Sequence, residues 1–446
     1  MSIFSSVIDP LRQSPLLSNS GAIDNSKVDA ALRAIRADVP MNASQLANTL
    51  RSPYLNQDED NLILQTLARE NGEQLRFFAN DVTRAGDDQY ASLTSDQQVI
   101  ADGLQRAYSA GAINKDDLLR IADTNTAGNG AQRFMSILEQ GTSTREPNGI
   151  CEVLADALWA RNGNGELDRA SAALFYTSDP SMMSRNLATP ADRTAAFEAL
   201  IDFNEKAPYA SINAGLTATE WKTSALNAEG RLFTSYGQEL IDHYTSASQT
   251  EVLAKFMSQT VFNPDAQGIW MDRRRDLIPA IRDTLGQAAQ TYLDRAQQAP
   301  TDSLQQSRAM EQFGRLTASV SGGAAVALTA YDSEIMASDA SKQEFAGFVS
   351  QLVGLTPLGA LSDKTLGVGD KVIEALSNKL YDALSQNPDR PDAALAGALY
   401  DSYAHQADAL STQLNHDLRP AFDAGYAAEL LNLQQNLNVN LGGHQQ

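Results

Sequence analysis

The stretch LIPAIRDTLGQA, which occupies residues 277–288, carries the pattern that decides the fold. Its apolar side chains recur at every third or fourth position, so they form one stripe along a helix of about 3.6 residues per turn. Pro279 falls in the first turn, where its missing N–H breaks no helical hydrogen bond. The stretch therefore predicts an amphipathic α-helix whose stripe faces a core. The stripe consists of Leu277, Ile281, Leu285 and Ala288.

Signals for helix starts accompany similar patterns elsewhere in the chain. A hydroxyl residue followed three positions later by an acid or Gln can satisfy the amides of a first helical turn. The composition is rich in Ala, Leu, Gln and Asp rather than in the β-branched residues that strands favour. We therefore predict an all-α protein of two or three packed helical domains, with no large sheet. The helix-start pairs are Ser95–Gln98, Thr189–Asp192, Thr217–Glu220 and Ser248–Glu251.

Polar stretches that contain proline divide the chain, and a length of 446 residues favours two or three domains. These breaks lie at residues 144–149, 299–303 and 387–391. The last break also suits a simple helix–helix loop. We predict an initial segment at 1–25 and helical domains at 26–146, 147–298 and 301–446.

Acidic residues outnumber basic ones, with 55 Asp and Glu against 34 Lys and Arg, so the net charge is −21. Such a field repels phosphate backbones and argues against nucleic acid as a partner. Apolar residues make up 43% of the chain, enough for sizeable cores, which argues against wholesale disorder. The single cysteine, Cys151, rules out an intrachain disulfide. The sequence predicts no cofactor.

The chain starts with MSIFSSVID, residues 1–9, which lack the basic and long apolar segments of a secretory signal peptide. The Ser-rich stretch up to residue 25 has two interpretations: a disordered terminus, or an export segment that is not cleaved. In the second case we expect the protein to reside in the bacterial cytoplasm before export.

Two short stretches predict helix–loop–helix units. GAINKDDL, residues 111–118, follows a helix predicted from near Ser95, and NGNGELD, residues 162–168, follows a helix predicted over 152–160. Glycine supplies the turn in both units.

Both units can be set in the register of a calcium-binding loop. The first then has Asp117 at position 12, but its early ligand positions hold Arg106, Tyr108 and Ala110. Calcium prefers about seven oxygens, with a bidentate acid at the end of the loop. A degenerate calcium loop and a turn without metal therefore both stay open. The oxygen-bearing residues of the second unit are Asn162, Asn164 and Asp168.

The first unit also carries a resemblance. Gly-Ala-Ile-Asn-Lys-Asp-Asp-Leu resembles the Gly-x-Ile-x-x-x-Asp-Leu units of type III secretion translocon and effector proteins of plant-associated bacteria, and the resemblance extends from residue 95 to 175. It implies an exported protein that acts on or across a host membrane. On this interpretation, residues 1–25 form the export segment.

Cys151 lies at the predicted start of a helix that carries Trp159. The partial positive charge of a helix N-terminus lowers the pKa of a thiol. The Gly-x-Cys-x-x-Leu run that leads to this tryptophan resembles the nucleophile segment of papain-like effector proteases. The resemblance implies Cys151 as nucleophile, His243 as base and Asn263 as the residue that orients the base.

That assignment predicts strands between residues 200 and 270. The sequence around His243 and after Glu251 instead predicts helix. The alternative for Cys151 is a packing role, since a lone buried cysteine behaves as a small apolar side chain.

Two uncharged stretches, residues 316–331 and 345–362, flank an acidic loop. They suit a hairpin that inserts into a membrane when its carboxylates are protonated, or a hairpin buried in the C-terminal domain. The candidate membrane or partner surface consists of Gly322, Gly323, Phe348, Leu352, Leu355 and Leu358.

Taken together, these patterns predict a secreted bacterial effector or translocon-associated protein that acts without catalysis. We expect its partner to be a host or bacterial protein, with a secretion chaperone as one candidate, and conditional membrane contact. The alternatives are a papain-like cysteine hydrolase and a soluble helical scaffold without a membrane role.

Overall fold

The computed structural model describes residues 43–51, 55–70, 87–123, 130–161, 166–214, 218–261, 277–329 and 391–437. Within these ranges the regular structure is helical and no strand occurs, which confirms the predicted all-α fold. The predicted initial segment, 1–25, lies outside the described residues.

The described residues form two compact units. Unit 1 comprises the chain up to Leu187 and the segment Asp202–Ser224. Unit 2 comprises the segment Ala188–Ile201 and the chain from Ala225 onward. The division into three domains stays a prediction.

Helices α1 to α8 belong to unit 1, and α11 to α15 belong to unit 2. The unit 1 helices are α1 (Ala43–Leu50), α2 (Gln57–Glu70), α3 (Asp87–Ser109), α4 (Lys115–Asp123), α5 (Gly130–Leu138), α6 (Ile150–Trp159), α7 (Glu166–Tyr176) and α8 (Pro180–Asn186). Both units share α9 (Pro190–Ala214) and α10 (Ala218–Ala247). The unit 2 helices are α11 (Thr250–Gln259), α12 (Leu277–Gln298), α13 (Leu304–Thr329), α14 (Pro391–Leu414) and α15 (Arg419–Leu437).

Unit 1 is organised around α3, which packs against α1, α2, α5 and α6. Ile100 and Leu104 of α3 are fully buried, as are Leu46 of α1 and Leu64 of α2. Each such side chain contributes about 1.5–3 kcal/mol when it leaves water. Helix α4 packs against α2, α5 and α6, and α7 packs against α6.

Unit 2 is built around α13, which packs against α11, α12, α14 and α15. Between Phe313 and Ala325 only Arg315 is partly exposed. A helix covered on nearly all sides needs apolar or small side chains all round, and the second half of α13 supplies them. Phe197, Phe233 and Phe256 form an aromatic cluster in the same unit, with ring centroids 4.5–6.0 Å apart.

The backbones of α13 and α15 come into direct contact at two glycines. A Cβ atom on Gly314 would lie 2.2 Å from the carbonyl oxygen of Phe422 in α15. A Cβ atom on Gly425 would lie 2.1 Å from the carbonyl oxygen of Glu311 in α13. Any larger residue at either position therefore pushes one helix away from the other.

A buried carboxylate secures the same helix pair. Glu429 of α15 is 1% exposed, and its Oε2 accepts a hydrogen bond of 2.8 Å from Thr250 Oγ1 at the start of α11. Its Oε1 lies 3.5 Å from Arg315 Nη1 of α13. Arg315 also donates to the carbonyl oxygen of Thr245, at 3.0 Å. These contacts join α15 to α10, α11 and α13.

The stripe predicted in residues 277–288 is confirmed. Its four apolar residues are buried in α12, and Pro279 is exposed in the first turn. The predicted break at 299–303 separates α12 from α13.

Thr189 and Asp192 cap α9 as predicted, since each side chain accepts the backbone N–H of the other. Two predicted starts are wrong. Ser95 lies inside α3, which begins eight residues earlier, and Ser248 has a left-handed backbone with φ of 57° before α11. Thr217 lies outside the described residues.

We predict that Gly425→Ala lowers the free energy of unfolding by about 3 kcal/mol, the upper range of overpacking, because the clashing atoms belong to backbone. Gly397→Ala is the matched control: it lies in α14, and among the described residues no atom outside its own stretch of helix lies within 4 Å of the new Cβ. Helix propensity favours alanine there by about 1 kcal/mol. Urea unfolding of both variants measures the difference. Equal stabilities would contradict the backbone contact.

Candidate functional site

The GAINKDDL stretch forms the turn between α3 and α4 and the first turn of α4. Each residue that the motif specifies has a conformational, packing or capping role there. Gly111 has a left-handed backbone with φ of 72°, which glycine adopts without strain. Ile113 and Leu118 are buried in the core of unit 1. Asn114 and Asp117 cap α4 reciprocally: Asp117 N–H donates to Asn114 Oδ1 at 3.0 Å, and Asn114 N–H to Asp117 Oδ2 at 3.1 Å.

Asp117 is the most heavily engaged acid of this turn and is 2% exposed. Arg69 of α2 donates from Nε to Oδ1 and from Nη2 to Oδ2, both at 3.1 Å. Arg120 donates from Nη1 to Oδ1, also at 3.1 Å. Burial alone would raise the pKa of Asp117, but the hydrogen bonds from Arg69 and Asn114 and the two positive charges hold it below its ordinary value.

The carbonyl oxygen of Ala112 is the second polar centre of the turn. It accepts a hydrogen bond of 2.5 Å from Gln65 Nε2 and one of 3.4 Å from Arg69 Nη2. Both donors lie on α2, one helical turn apart. Helix α2 therefore contacts the turn at two places, the backbone carbonyl of Ala112 and the carboxylate of Asp117.

The second predicted helix–loop–helix stretch, at residues 162–168, is described only in part, since Asn162 and Asn164 lie outside the described residues. Asp168 accepts a hydrogen bond of 3.3 Å from Arg161 Nη1. Arg161 also pairs with both carboxylate oxygens of Asp123, at the end of α4. Within the described ranges, no group of three or more His, Cys, Asp or Glu residues could hold a metal ion.

Cys151 is fully buried near the start of α6. Burial raises the pKa of its thiol to about 12; the charge of Glu139 acts in the same direction, while Thr144 and Arg145 oppose it. The expected lowering by the helix N-terminus is therefore outweighed by loss of solvation. A thiol with this pKa is almost entirely protonated at neutral pH.

The other residues of the cysteine-hydrolase hypothesis give it no support. His243 is exposed on α10 in unit 2, whereas Cys151 belongs to unit 1. The strands expected between residues 200 and 270 do not occur at 200–214 or 218–261, which are helical apart from short turns. Asn263 lies outside the described residues. The packing alternative fits the surroundings of Cys151.

Gly322 and Gly323 lie inside unit 2 and not on its surface. A Cβ on Gly323 would lie 2.8 Å from the carbonyl oxygen of Ala254 in α11, and one on Gly322 would lie 3.3 Å from Leu433 Cδ1 in α15. Among the described helices, none combines the length and apolarity that a membrane span requires. Four of the proposed surface residues lie outside the described ranges: Phe348, Leu352, Leu355 and Leu358.

An open cleft of about 500 Å³ lies in unit 1, where the start of α2, the end of α3 and the loop before α6 meet. Gln105 fixes one wall, because its Oε1 accepts the N–H of Ile150 at 2.9 Å. The lining carries both signs of charge, through Arg106 and Glu146. It includes Gln57, Gln105, Arg106, Ser109, Glu146 and Asn148.

Comparisons of the chain with protein-family models, curated protein sequences and solved structures find no match. Sequence reasoning found Asp117 from its place in the motif but missed Arg69. No local pattern marks this arginine, because it lies 48 residues before its partner.

We predict that Cys151 reacts with iodoacetamide at pH 8 only after unfolding in urea, because its thiol is buried and protonated. A Cys151→Ser variant gives the background. Ser109→Cys in that variant supplies an exposed thiol of the same unit as a positive control. Intact mass measures the label. Native labelling of Cys151 as fast as that of the residue 109 thiol would contradict the packing role.

We predict that Asp117→Asn lowers the free energy of unfolding at pH 7 by about 1–2 kcal/mol, since both arginine partners are partly exposed and screened. The pKa of Asp117 is lowered in the folded state, so its contribution is present above the ordinary Asp pKa of about 3.9. It is lost as the pH falls through the lower folded value. The two proteins should therefore converge in stability below about pH 4.

Urea unfolding at several pH values between 7 and 2.5 measures this convergence. The exposed neighbour Asp116 supplies the control, and Asp116→Asn should change stability by less than about 0.5 kcal/mol. A difference between wild type and Asp117→Asn that stays constant with pH would contradict the assigned pKa shift.

Proposed function

We propose that the protein is a secreted bacterial effector or translocon-associated protein that acts without catalysis, through contacts with another protein. The observation that carries the proposal is the turn at residues 111–118. Its glycine, isoleucine, aspartate and leucine each have a separate role in the fold, which supports a structural module over a chance match. This is the stretch that resembles units of type III translocon and effector proteins.

The polar cleft of unit 1 is the proposed contact surface. It lies beside the motif, since its lining includes Ser109 and Ala110 at the end of α3. Its mixed lining suits hydrogen bonding to a peptide or a protein loop. The net charge of −21 favours a partner with a basic surface, because opposite charge speeds encounter.

Low-pH membrane contact is a second candidate function. The second half of α13, residues 316–329, is uncharged, and its burial within unit 2 keeps it from lipid in the folded state. Membrane contact would require unit 2 to open at low pH and release this helix, which is buried in the folded state. Flotation with anionic vesicles between pH 7 and 4 tests the candidate, and absence of lipid binding at every pH would favour a scaffold without a membrane role.

The proposed export is tested with the full chain fused at its C-terminus to a reporter enzyme. The fusion is expressed in a bacterium with a working type III machine and in a matched strain whose secretion ATPase is inactive. We expect reporter activity in the medium only from the working strain. Deletion of residues 2–25 should abolish this activity without lowering the amount inside the cells.

Two controls make the result decisive. A cytoplasmic marker enzyme in the medium reports lysis, and Gly397→Ala in the fusion reports the effect of a harmless substitution. Equal reporter activity in the media of both strains, or full secretion of the truncated fusion, would contradict the proposal.

A further inference from the structure

The turn between α3 and α4 can be compared position by position with a calcium-binding loop. In that register the twelve positions run from Arg106 to Asp117, so positions 1 to 4 fall at the end of α3 and positions 10 to 12 in the first turn of α4. A calcium ion in such a loop is held by the backbone carbonyl at position 7 and by two oxygens of the acid at position 12. Here position 7 is Ala112 and position 12 is Asp117.

One side chain, that of Arg69, contacts both groups. The guanidinium of Arg69 places Nε and Nη2 at 3.1 Å from the two oxygens of Asp117, and the same Nη2 lies 3.4 Å from the carbonyl oxygen of Ala112. A positive charge therefore lies between the two groups that would bind the metal. The contact with Asp117 is bidentate, the geometry in which a guanidinium fits a carboxylate best.

We propose that Arg69 is the resident cation of this loop, so that its guanidinium takes the structural place of a divalent ion. The absent early ligands are consistent with this role. A guanidinium carries one delocalised charge and needs fewer oxygens than calcium, and positions 1, 3 and 5 hold Arg106, Tyr108 and Ala110. The loop is a cation site whose cation is attached to α2.

This assignment goes beyond the proposed function and does not depend on it. It gives α2 a specific role, because this helix supplies the cation that the turn between α3 and α4 binds. Gln65 supports that role, because its contact with Ala112 aligns α2 on the loop. Arg120 has a different role, because it donates to Oδ1 of Asp117 from within α4 and so joins two residues of the same helix.

The test is chemical rescue of Arg69→Ala in the full chain. Hydrogen exchange of the amides at 110–118 is followed by mass spectrometry. We expect about tenfold faster exchange there in Arg69→Ala than in wild type, since a charge-assisted bidentate pair is lost. Addition of about 20 mM guanidinium, far below the denaturing molar range, should restore most of the protection.

Three comparisons make the rescue specific. Guanidinium should leave the exchange rate of wild type unchanged. It should not slow exchange in Arg69→Ala/Asp117→Asn, because that variant lacks the carboxylate that accepts the hydrogen bonds. Arg69→Lys keeps the positive charge but lacks the planar pair of donors. Its amides at 110–118 should exchange at a rate between those of wild type and Arg69→Ala, and this comparison holds even if the alanine variant folds poorly. Protection of Arg69→Ala by calcium would also support a cation site.

The assignment is overturned if the amides of Arg69→Ala exchange as slowly as those of wild type. It is also overturned if neither guanidinium nor calcium protects a folded Arg69→Ala. Equal rescue of Arg69→Ala/Asp117→Asn would overturn it as well, since the added ion would then act elsewhere.

Discussion

Direct backbone contact between α13 and α15 is the constraint on which unit 2 depends. Gly314 and Gly425 let the two helices approach until carbonyl oxygens occupy the space of side chains. Because α15 lies so close, Glu429 reaches Thr250 and Arg315 from a fully enclosed position. The same closeness brings Leu433 over Gly322. The apolar part of α13 is thus covered by helices from distant parts of the sequence.

In unit 1, arginines neutralise several buried acids, as Arg315 does for Glu429 in unit 2. A buried carboxylate without a partner loses several kcal/mol of solvation, so each needs a cation from a neighbouring element. Arginine suits the task because it stays charged and offers several donors in one plane. The pairs are Asp96 with Arg51, Asp117 with Arg69, and Glu152 with Arg185. These pairs join elements far apart in sequence in a chain with excess negative charge.

The parts that sequence could predict are those governed by local chemistry. The stripe of α12 and the cap at Thr189 depend on residues within a few positions of one another, and both were predicted. Ser95 was misassigned because α3 begins at Asp87, and the Ser95 hydroxyl accepts a hydrogen bond of 3.1 Å from Arg51, 44 residues away. The site shows the same division. Asp117 was found within its motif, whereas its pairing with Arg69 and the burial of Cys151 arise only from tertiary packing.

The position of α15 in the chain has a consequence for synthesis. Helix α13 ends at Thr329, but the helix that covers it most closely begins at Arg419. On the ribosome, α13 therefore emerges well before its cover and exposes an apolar face in the interval. Pairing of segments so distant in sequence also slows folding, because a long loop has to close first. Unit 2 therefore passes through a stage in which the apolar residues of α13 lack the cover that α15 gives them in the folded state.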